Sequence, residues 1–145
     1  MFVGNYPYKV DEKGRIAIPP SFRTDLTNGG FVTRGADECL FLYTRAKFEE
    51  ISRSYEKPGI QTAADRTVAR TFFSRATEIK LDTQGRIMLS PELRQYAGIT
   101  DSAVVVGVNT NAEIWSPEKW NAQQQDPSQA WQVLENTRPL KEKPE

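Results

Sequence analysis

Two five-residue segments carry the side chains best suited to chemistry: Asp11-Glu12-Lys13-Gly14-Arg15 and Asp82-Thr83-Gln84-Gly85-Arg86. Each ends in an arginine beside a glycine. A guanidinium offers a planar fork of donors that fits guanine O6/N7 or a phosphate. Lys13 can meet a phosphate as a point charge, while its counterpart Gln84 can read adenine or bond a phosphate. Gly14 and Gly85 permit a left-handed turn and close backbone approach. Asp11 and Asp82 are assigned to the turn itself. Their side chains accept from nearby backbone N–H groups and orient the arginine, because a carboxylate facing phosphates would cost affinity. A two-stranded ribbon fits the major groove, so two such tips together make a reading head for double-stranded DNA.

One Asp-x-x-Gly alone reads as an ordinary turn. The weight lies in its duplication. Residues 8–23 read YKVDEKGRIAIPPSFR and residues 79–94 read IKLDTQGRIMLSPELR. Between Asp11 and Arg23, six of thirteen positions repeat: Asp11/Asp82, Gly14/Gly85, Arg15/Arg86, Ile16/Ile87, Pro20/Pro91 and Arg23/Arg94. Chance would give about one. Lys9 and Lys80 also match. After one residue of slippage, Leu42-Tyr43-Thr44 answers to Ile114-Trp115-Ser116, and Lys47-Phe48 to Lys119-Trp120.

The elements that must position the tips follow from the same pattern. Tyr8-Lys9-Val10 and Ile79-Lys80-Leu81 alternate as half-buried strands, and Arg-Ile-x-Ile/Leu restarts a strand after each tip. Ser90, Pro91 and Gly98 suit the cap, first turn and end of a short helix, answered in the first copy by Pro19-Pro20-Ser21-Phe22. Strands follow at Gly30–Arg34 and Ala103–Val108, then at Cys39–Tyr43 and Glu113–Trp115. Turn clusters lie at Gly35-Ala36-Asp37 and Asn109-Thr110-Asn111. Each unit is strand, tip, strand, short helix, strand, strand.

The division expected is repeat 1 over 5–48, a helical linker over 49–75, repeat 2 over 76–120 and a helical tail over 121–145. Within the linker region Arg45–Lys57 and Thr62–Arg75 read as helices broken at Pro58-Gly59, with Val68, Phe72 and Phe73 on one stripe. In the tail, helices start at Ser116-Pro117 and Asp126-Pro127, and residues 136–145 are expected to fray.

Composition narrows the function. The chain has 145 residues, with nineteen Lys and Arg against nineteen Asp and Glu, no His and one Cys. Zero net charge excludes a uniformly basic coat but not a local basic patch. Without His, the commonest general base, metal ligand and triad member are gone. Cys39 alone gives neither an intrachain disulfide nor a Cys/His zinc site, and as a strand residue it reads as a small hydrophobe. No phosphate loop or acidic calcium loop is present, and Glu49/Glu50 read as a solvated helix face. No catalytic residue, metal or cofactor is therefore expected. The longest apolar run, Ala103–Val106 extended to Val108, is far short of the roughly 20 residues that span a bilayer. The expectation is a soluble protein of a reducing compartment, with no membrane partner.

The two tandem Asp-x-x-x-Arg segments, each in the same strand-turn-strand-Pro context, and the opening Met1-Phe2 with Gly4, resemble the MraZ family of bacterial transcriptional regulators. The resemblance spans about residues 1–135. It implies an α+β, mainly β fold similar to AbrB, MazE and SpoVT: a small pseudo-twofold barrel of two intertwined repeats, both carried here by one chain. It further implies DNA binding in the cytoplasm, at the nucleoid, as a ring-shaped homo-oligomer. The DNA would be repeated boxes upstream of the protein's own cell-division and cell-wall operon.

Other residues keep two readings. Lys9, Lys80, Arg23 and Arg94 are phosphate contacts or solvated strand and helix faces, the solvated face being preferred. Arg66, Arg70 and Arg75 fit a solvent face with intersubunit ion pairs. Trp115, Trp120 and Trp131 fit core or interface anchors better than base-stacking platforms. The rival to a DNA-binding regulator is a protein-interaction module of the same fold, antitoxin-like or a scaffold, whose tips grip a protein.

Overall fold

The computed structural model describes residues 1–56, 61–123 and 126–137. Its strands are β1 (Asn5–Lys9), β2 (Arg15–Ala17), β3 (Gly30–Arg34), β4 (Leu40–Thr44), β5 (Thr77–Ile79), β6 (Arg86–Met88), β7 (Ser102–Gly107) and β8 (Ala112–Trp115). Its helices are α1 (Pro20–Arg23), α2 (Arg45–Ser54), α3 (Ala63–Val68), α4 (Pro91–Ala97), α5 (Pro117–Ala122) and α6 (Pro127–Thr137). The fold is α+β, as expected, with helices set around an antiparallel sheet.

Six strands form one antiparallel sheet in the order β1-β7-β8-β4-β3-β5, and β2 pairs with β6 in a separate ribbon. This order relates the two copies by a pseudo-twofold. The first strand of each copy pairs with the third strand of the other: β1 with β7, and β5 with β3. The last strands, β4 and β8, pair at the centre. The second strands pair in the ribbon, with Ile16 opposite Ile87. A Val10–Ile16 bridge ties the ribbon to the large sheet. Each copy supplies strands that the other completes, which makes the barrel intertwined.

One core fills the space between sheet and ribbon. Ile16, Ile18, Phe22, Leu26, Val32, Leu40, Leu42, Ile87, Leu89, Leu93, Val105 and Ile114 are all buried there. Phe2 and Tyr6 set their rings edge-on to Phe22 at 5.0 and 5.6 Å. Tyr6 and Tyr8 are the inward positions of β1, which explains its alternation; Pro7 is tolerated because β1 is an edge strand. β7 reads as a continuous apolar run because both its faces are covered. Ala103 and Val105 join the main core, while Val104 and Val106 pack with Cys39, Trp115 and Trp120 on the outer face.

The helices begin where the sequence signals them. Ser90 Oγ accepts from Leu93 N–H, Pro91 occupies the first turn, and Gly98 ends α4 at φ 68°. Thr44 caps α2 and Ser116 caps α5 in the same way, accepting from Lys47 and Lys119. The repeat therefore extends into these helices, with Phe48 and Trp120 in equivalent places.

Some elements differ from the expected bounds. α1 is a single turn continued by a 3₁₀ turn at Thr24–Leu26, because Pro19 supplies no capping side chain where the second copy has Ser90. β5 lies at Thr77–Ile79, not Ile79–Leu81, since only those residues reach β3 before the chain departs for the second tip. The helix expected over Thr62–Arg75 starts with a Thr62/Asp65 capping box but widens into a π turn at Ala69–Phe73. Phe72 and Phe73 both enter one aromatic cluster with Phe48 there, and Thr33 Oγ1 donates to the Phe72 carbonyl at 2.7 Å. That cluster, with Phe31 and Tyr43, fastens α2 and the π turn to the outer face of β3 and β4. Trp115 is buried and Trp120 half-buried, whereas Trp131 on α6 is 63% exposed in the single chain. The break expected at Pro58-Gly59 lies outside the described residues; of the stretch 136–145 expected to fray, Asn136 and Thr137 belong to α6 and the rest lies outside them.

Candidate nucleic-acid interface

The two tips are built by the same bonds. In the first, Asp11 Oδ1 accepts from the backbone N–H groups of Lys13 and Arg15 at 3.0 and 2.9 Å, and Asp11 Oδ2 accepts from Arg15 Nε at 2.6 Å. In the second, Asp82 Oδ1 accepts from Gln84 and Arg86 N–H at 2.8 and 2.9 Å, and Oδ2 from Arg86 Nε at 2.9 Å. Gly14 and Gly85 N–H close the turns onto the Asp11 and Asp82 carbonyls, at 2.9 and 3.0 Å. The glycines sit at φ 82° and 74°, the left-handed region that a side chain resists.

The electrostatics follow from these bonds. The backbone N–H of Arg15, then its side chain and the Lys13 N–H, hold the Asp11 carboxyl below its ordinary value. The Arg86 backbone N–H does the same for Asp82, helped by Gln84 N–H and the Arg86 side chain. Both carboxylates stay charged, and each fixes Nε of its arginine. Beyond Nε the two guanidinium groups remain partly exposed.

Pairing of β2 with β6 joins the tips through one short ribbon: Arg15 lies opposite Met88 at one end and Arg86 opposite Ala17 at the other, two residues apart along it. Arg86 Nη1 also comes within 3.8 Å of Asp11 Oδ2, across the pseudo-twofold. Lys13 and Gln84 are exposed at the turns, and the Lys13 ammonium has no ion pair among the described residues. Lys9 and Lys80 are exposed just before the tips, at the end of β1 and after β5.

Arg23 and Arg94 are placed differently from a solvated face. Both are half-buried, and each donates Nε to a carbonyl five residues back: Arg23 to Ile18 at 2.9 Å, Arg94 to Leu89 at 3.0 Å. Each then lies against the turn glycine of the other copy. A methyl on Gly14 would fall 2.7 Å from Arg94 Nε, and a methyl on Gly85 would fall 2.5 Å from Arg23 Cζ. The matched arginines were visible as a repeat, but a contact between copies depends on topology that one copy's residues do not contain. Arg75 pairs with Glu92 at 2.6 Å within the chain, and Arg66 Nη1 donates to the Gln61 carbonyl.

The described residues hold no cluster of three or more His, Cys, Asp or Glu able to bind a metal. Cys39 is buried, and that burial, with Glu113 and Asp37 nearby, pushes its thiol up to about 12. No described helix is long and apolar enough to cross a membrane.

Comparison with known proteins agrees with the geometry. A family model described as "MraZ protein, putative antitoxin-like" matches twice in tandem, at residues 1–71 and 72–138. A protein of Thermomicrobium roseum is 44% identical over 123 residues, covering 85% of this chain and 87% of that one. One of Herpetosiphon aurantiacus is 46% identical over 120 residues, covering 83% and 84%. One of Roseiflexus castenholzii is 42% identical over 120 residues, covering 83% and 84%. All three carry the name "Transcriptional regulator MraZ". With two tandem matches over nearly its whole length and relatives 42–46% identical over more than four fifths of it, the chain belongs to the MraZ family.

Proposed function

We propose that this chain is a sequence-specific DNA-binding transcriptional regulator that reads double-stranded DNA through its paired tips. The observation that carries this reading is the ribbon. Two turns with the same internal bonding each hold a partly exposed arginine by Nε, with Arg86 Nη1 also 3.8 Å from Asp11. Arg15 and Arg86 are the base or phosphate contacts, with Lys13, Gln84 and the close-packed Gly14 and Gly85 around them. Lys9 and Lys80, exposed beside the tips, take phosphates. Asp11 and Asp82 shape the turns. The names of the relatives support regulation of transcription as the outcome.

The finer reading is that the target is a set of repeated boxes upstream of the protein's own cell-division and cell-wall operon. There the protein acts as a ring-shaped homo-oligomer in the cytoplasm, at the nucleoid. Its repeats are 5–48 and 76–120, with a linker at 49–75 and a tail at 121–145. Zero net charge supports assembly: one subunit offers few cations to phosphate, so several tied together gain by effective concentration. Affinity then falls steeply with salt, by a slope that counts engaged tips.

The test is fluorescence anisotropy with labelled DNA from upstream of the gene, against scrambled DNA across a salt series. Arg15→Glu with Arg86→Glu is run alongside, with its oligomeric state measured. Preference for the upstream DNA, lost in a still-assembled variant, is the expected result. Equal weak binding to both DNAs, untouched by the substitutions, overturns the reading in favour of a protein-interaction module.

A further inference from the structure

We infer that Arg23 and Arg94 are positioning residues for the DNA-reading tips, each bracing the tip of the opposite copy. The chain of bonds is short. The Gly14 carbonyl accepts from Leu89 N–H at 2.8 Å, and the Leu89 carbonyl accepts from Arg94 Nε at 3.0 Å. The Arg94 side chain then returns over Gly14, in the space a Cβ would take. The mirror image runs from the Gly85 carbonyl to Ile18 N–H at 2.9 Å, from the Ile18 carbonyl to Arg23 Nε at 2.9 Å, and back over Gly85. Both glycines are therefore required twice, once for their left-handed backbone and once as the seat of an arginine.

The relation recurs in unequal surroundings. Arg23 ends a one-turn helix after Pro19-Pro20, and Arg94 lies inside a fully capped one. The same contact forms in both copies despite their different helices, so it belongs to the fold's two halves rather than to one loop. Arginine suits it because Nε donates in the plane while the flat guanidinium covers the glycine; lysine has a point charge at the end of a flexible stem and no donor at that position. The tips face outward on a ribbon only three residues long per strand. With so little sheet behind them, their alignment depends on the brace.

Part of this inference rests on the proposed function, and the experiment separates the two. Amide hydrogen exchange is measured on the full chain without DNA, for Arg94→Gln, Arg23→Gln and the charge-retaining Arg94→Lys. Arg94→Gln is expected to speed exchange at Gly14 and Arg15 roughly five- to tenfold, the scale of one lost hydrogen bond, while Gly85 and Arg86 stay unchanged. Arg23→Gln does the reverse. Arg94→Lys behaves like Arg94→Gln, because charge alone does not restore the seat. Loosening of both tips equally, of the same copy's tip, or of neither overturns the brace, whatever the chain does with DNA.

The second arm uses the upstream DNA. Arg94→Gln is expected to lower affinity with the salt slope unchanged, and its effect is non-additive with Arg15→Ala but additive with Arg86→Ala. A slope reduced by about 0.9, as for one lost phosphate contact, with unchanged exchange, would make Arg94 a direct phosphate ligand and overturn the inference. Loss of DNA preference in the unsubstituted protein would sink the proposed function while the exchange result still decides the brace.

Discussion

Arg86 of the second tip reaches Asp11 of the first: Nη1 lies 3.8 Å from Oδ2, while Arg86 Nε donates to its own Asp82 at 2.9 Å. The converse pair, Arg15 with Asp82, is not within ion-pair distance among the described residues. The pseudo-twofold is thus broken at the tips. One carboxylate serves both arginines, and the other serves one.

This asymmetry predicts unequal substitutions. Asn can keep the turn by accepting from backbone N–H through Oδ1, but its amide cannot accept from Arg Nε. Asp11→Asn is expected to free the Arg15 guanidinium and to loosen Arg86 in part, since Asp82 still holds Arg86 by Nε; Asp82→Asn is expected to loosen Arg86 alone. Nitrogen-15 relaxation of the Arg15 and Arg86 Nε–H groups measures this directly. Equal effects of the two substitutions would mean the 3.8 Å approach is without consequence in solution.

The turn glycines give a second contrast. Gly14→Ala and Gly85→Ala both force a side chain into the left-handed region. At Gly14 the methyl also meets the Leu89 carbonyl at 2.5 Å, which is backbone and cannot move aside; at Gly85 the near neighbours all belong to the Arg23 side chain. Gly14→Ala is expected to cost about 2–3 kcal/mol and Gly85→Ala about 1–2 kcal/mol. Urea denaturation of the two variants checks the order.

Acid acts on the same turns. Asp11 and Asp82 have folded-state values lowered from 3.8, first by the backbone N–H groups of Arg15 and Arg86. A lowered carboxylate contributes stability that is fully present above its unfolded value and lost as pH falls through its folded value. The tips are therefore expected to hold at neutral pH and to loosen only below about pH 4. Side-chain titration by NMR should place both groups under 3.8. The Asn variants should flatten the acid limb of stability against pH.

The tryptophans separate core from surface. Trp115 is 4% exposed and Trp131 is 63% exposed. Trp115→Ala is expected to cost about 3–5 kcal/mol. Trp131→Ala should stay within about 0.5 kcal/mol. Thermal melts check both, and sedimentation of the Trp131 variant shows whether assembly changes without a change in folding.

Much of this was legible in the residues, and what was not has physical causes. Gly30–Arg34 was read as a strand over the same residues the structure shows, because its apolar run is bounded by Asn28-Gly29 and Gly35, all turn formers. Ser90-Pro91 and Gly98 marked α4 by caps that are local and need no partner. The π turn at Ala69–Phe73 left no such mark. Its driving contacts, Phe72 and Phe73 against Phe48, are long-range, and the helical stripe of Val68, Phe72 and Phe73 fitted an unbroken helix as well. At the tips, Asp, Gly and Arg could be assigned because their bonds close within five residues. Arg23 and Arg94 could not, because what they touch lies in the other copy, about 70 residues away along the chain.

The exchange of first strands between the copies sets a timetable for synthesis. Among the described residues β1 pairs only with β7, in a register that joins Tyr6 to Val105, about 100 residues apart. At ordinary elongation rates β1 waits roughly 5–20 s on the ribosome before its partner is made. During that interval the nascent N-terminal half carries an unpaired edge and an uncovered apolar face. Pro7 and Lys9 in β1 are residue types that disfavour templating of an unpaired edge on a neighbouring chain.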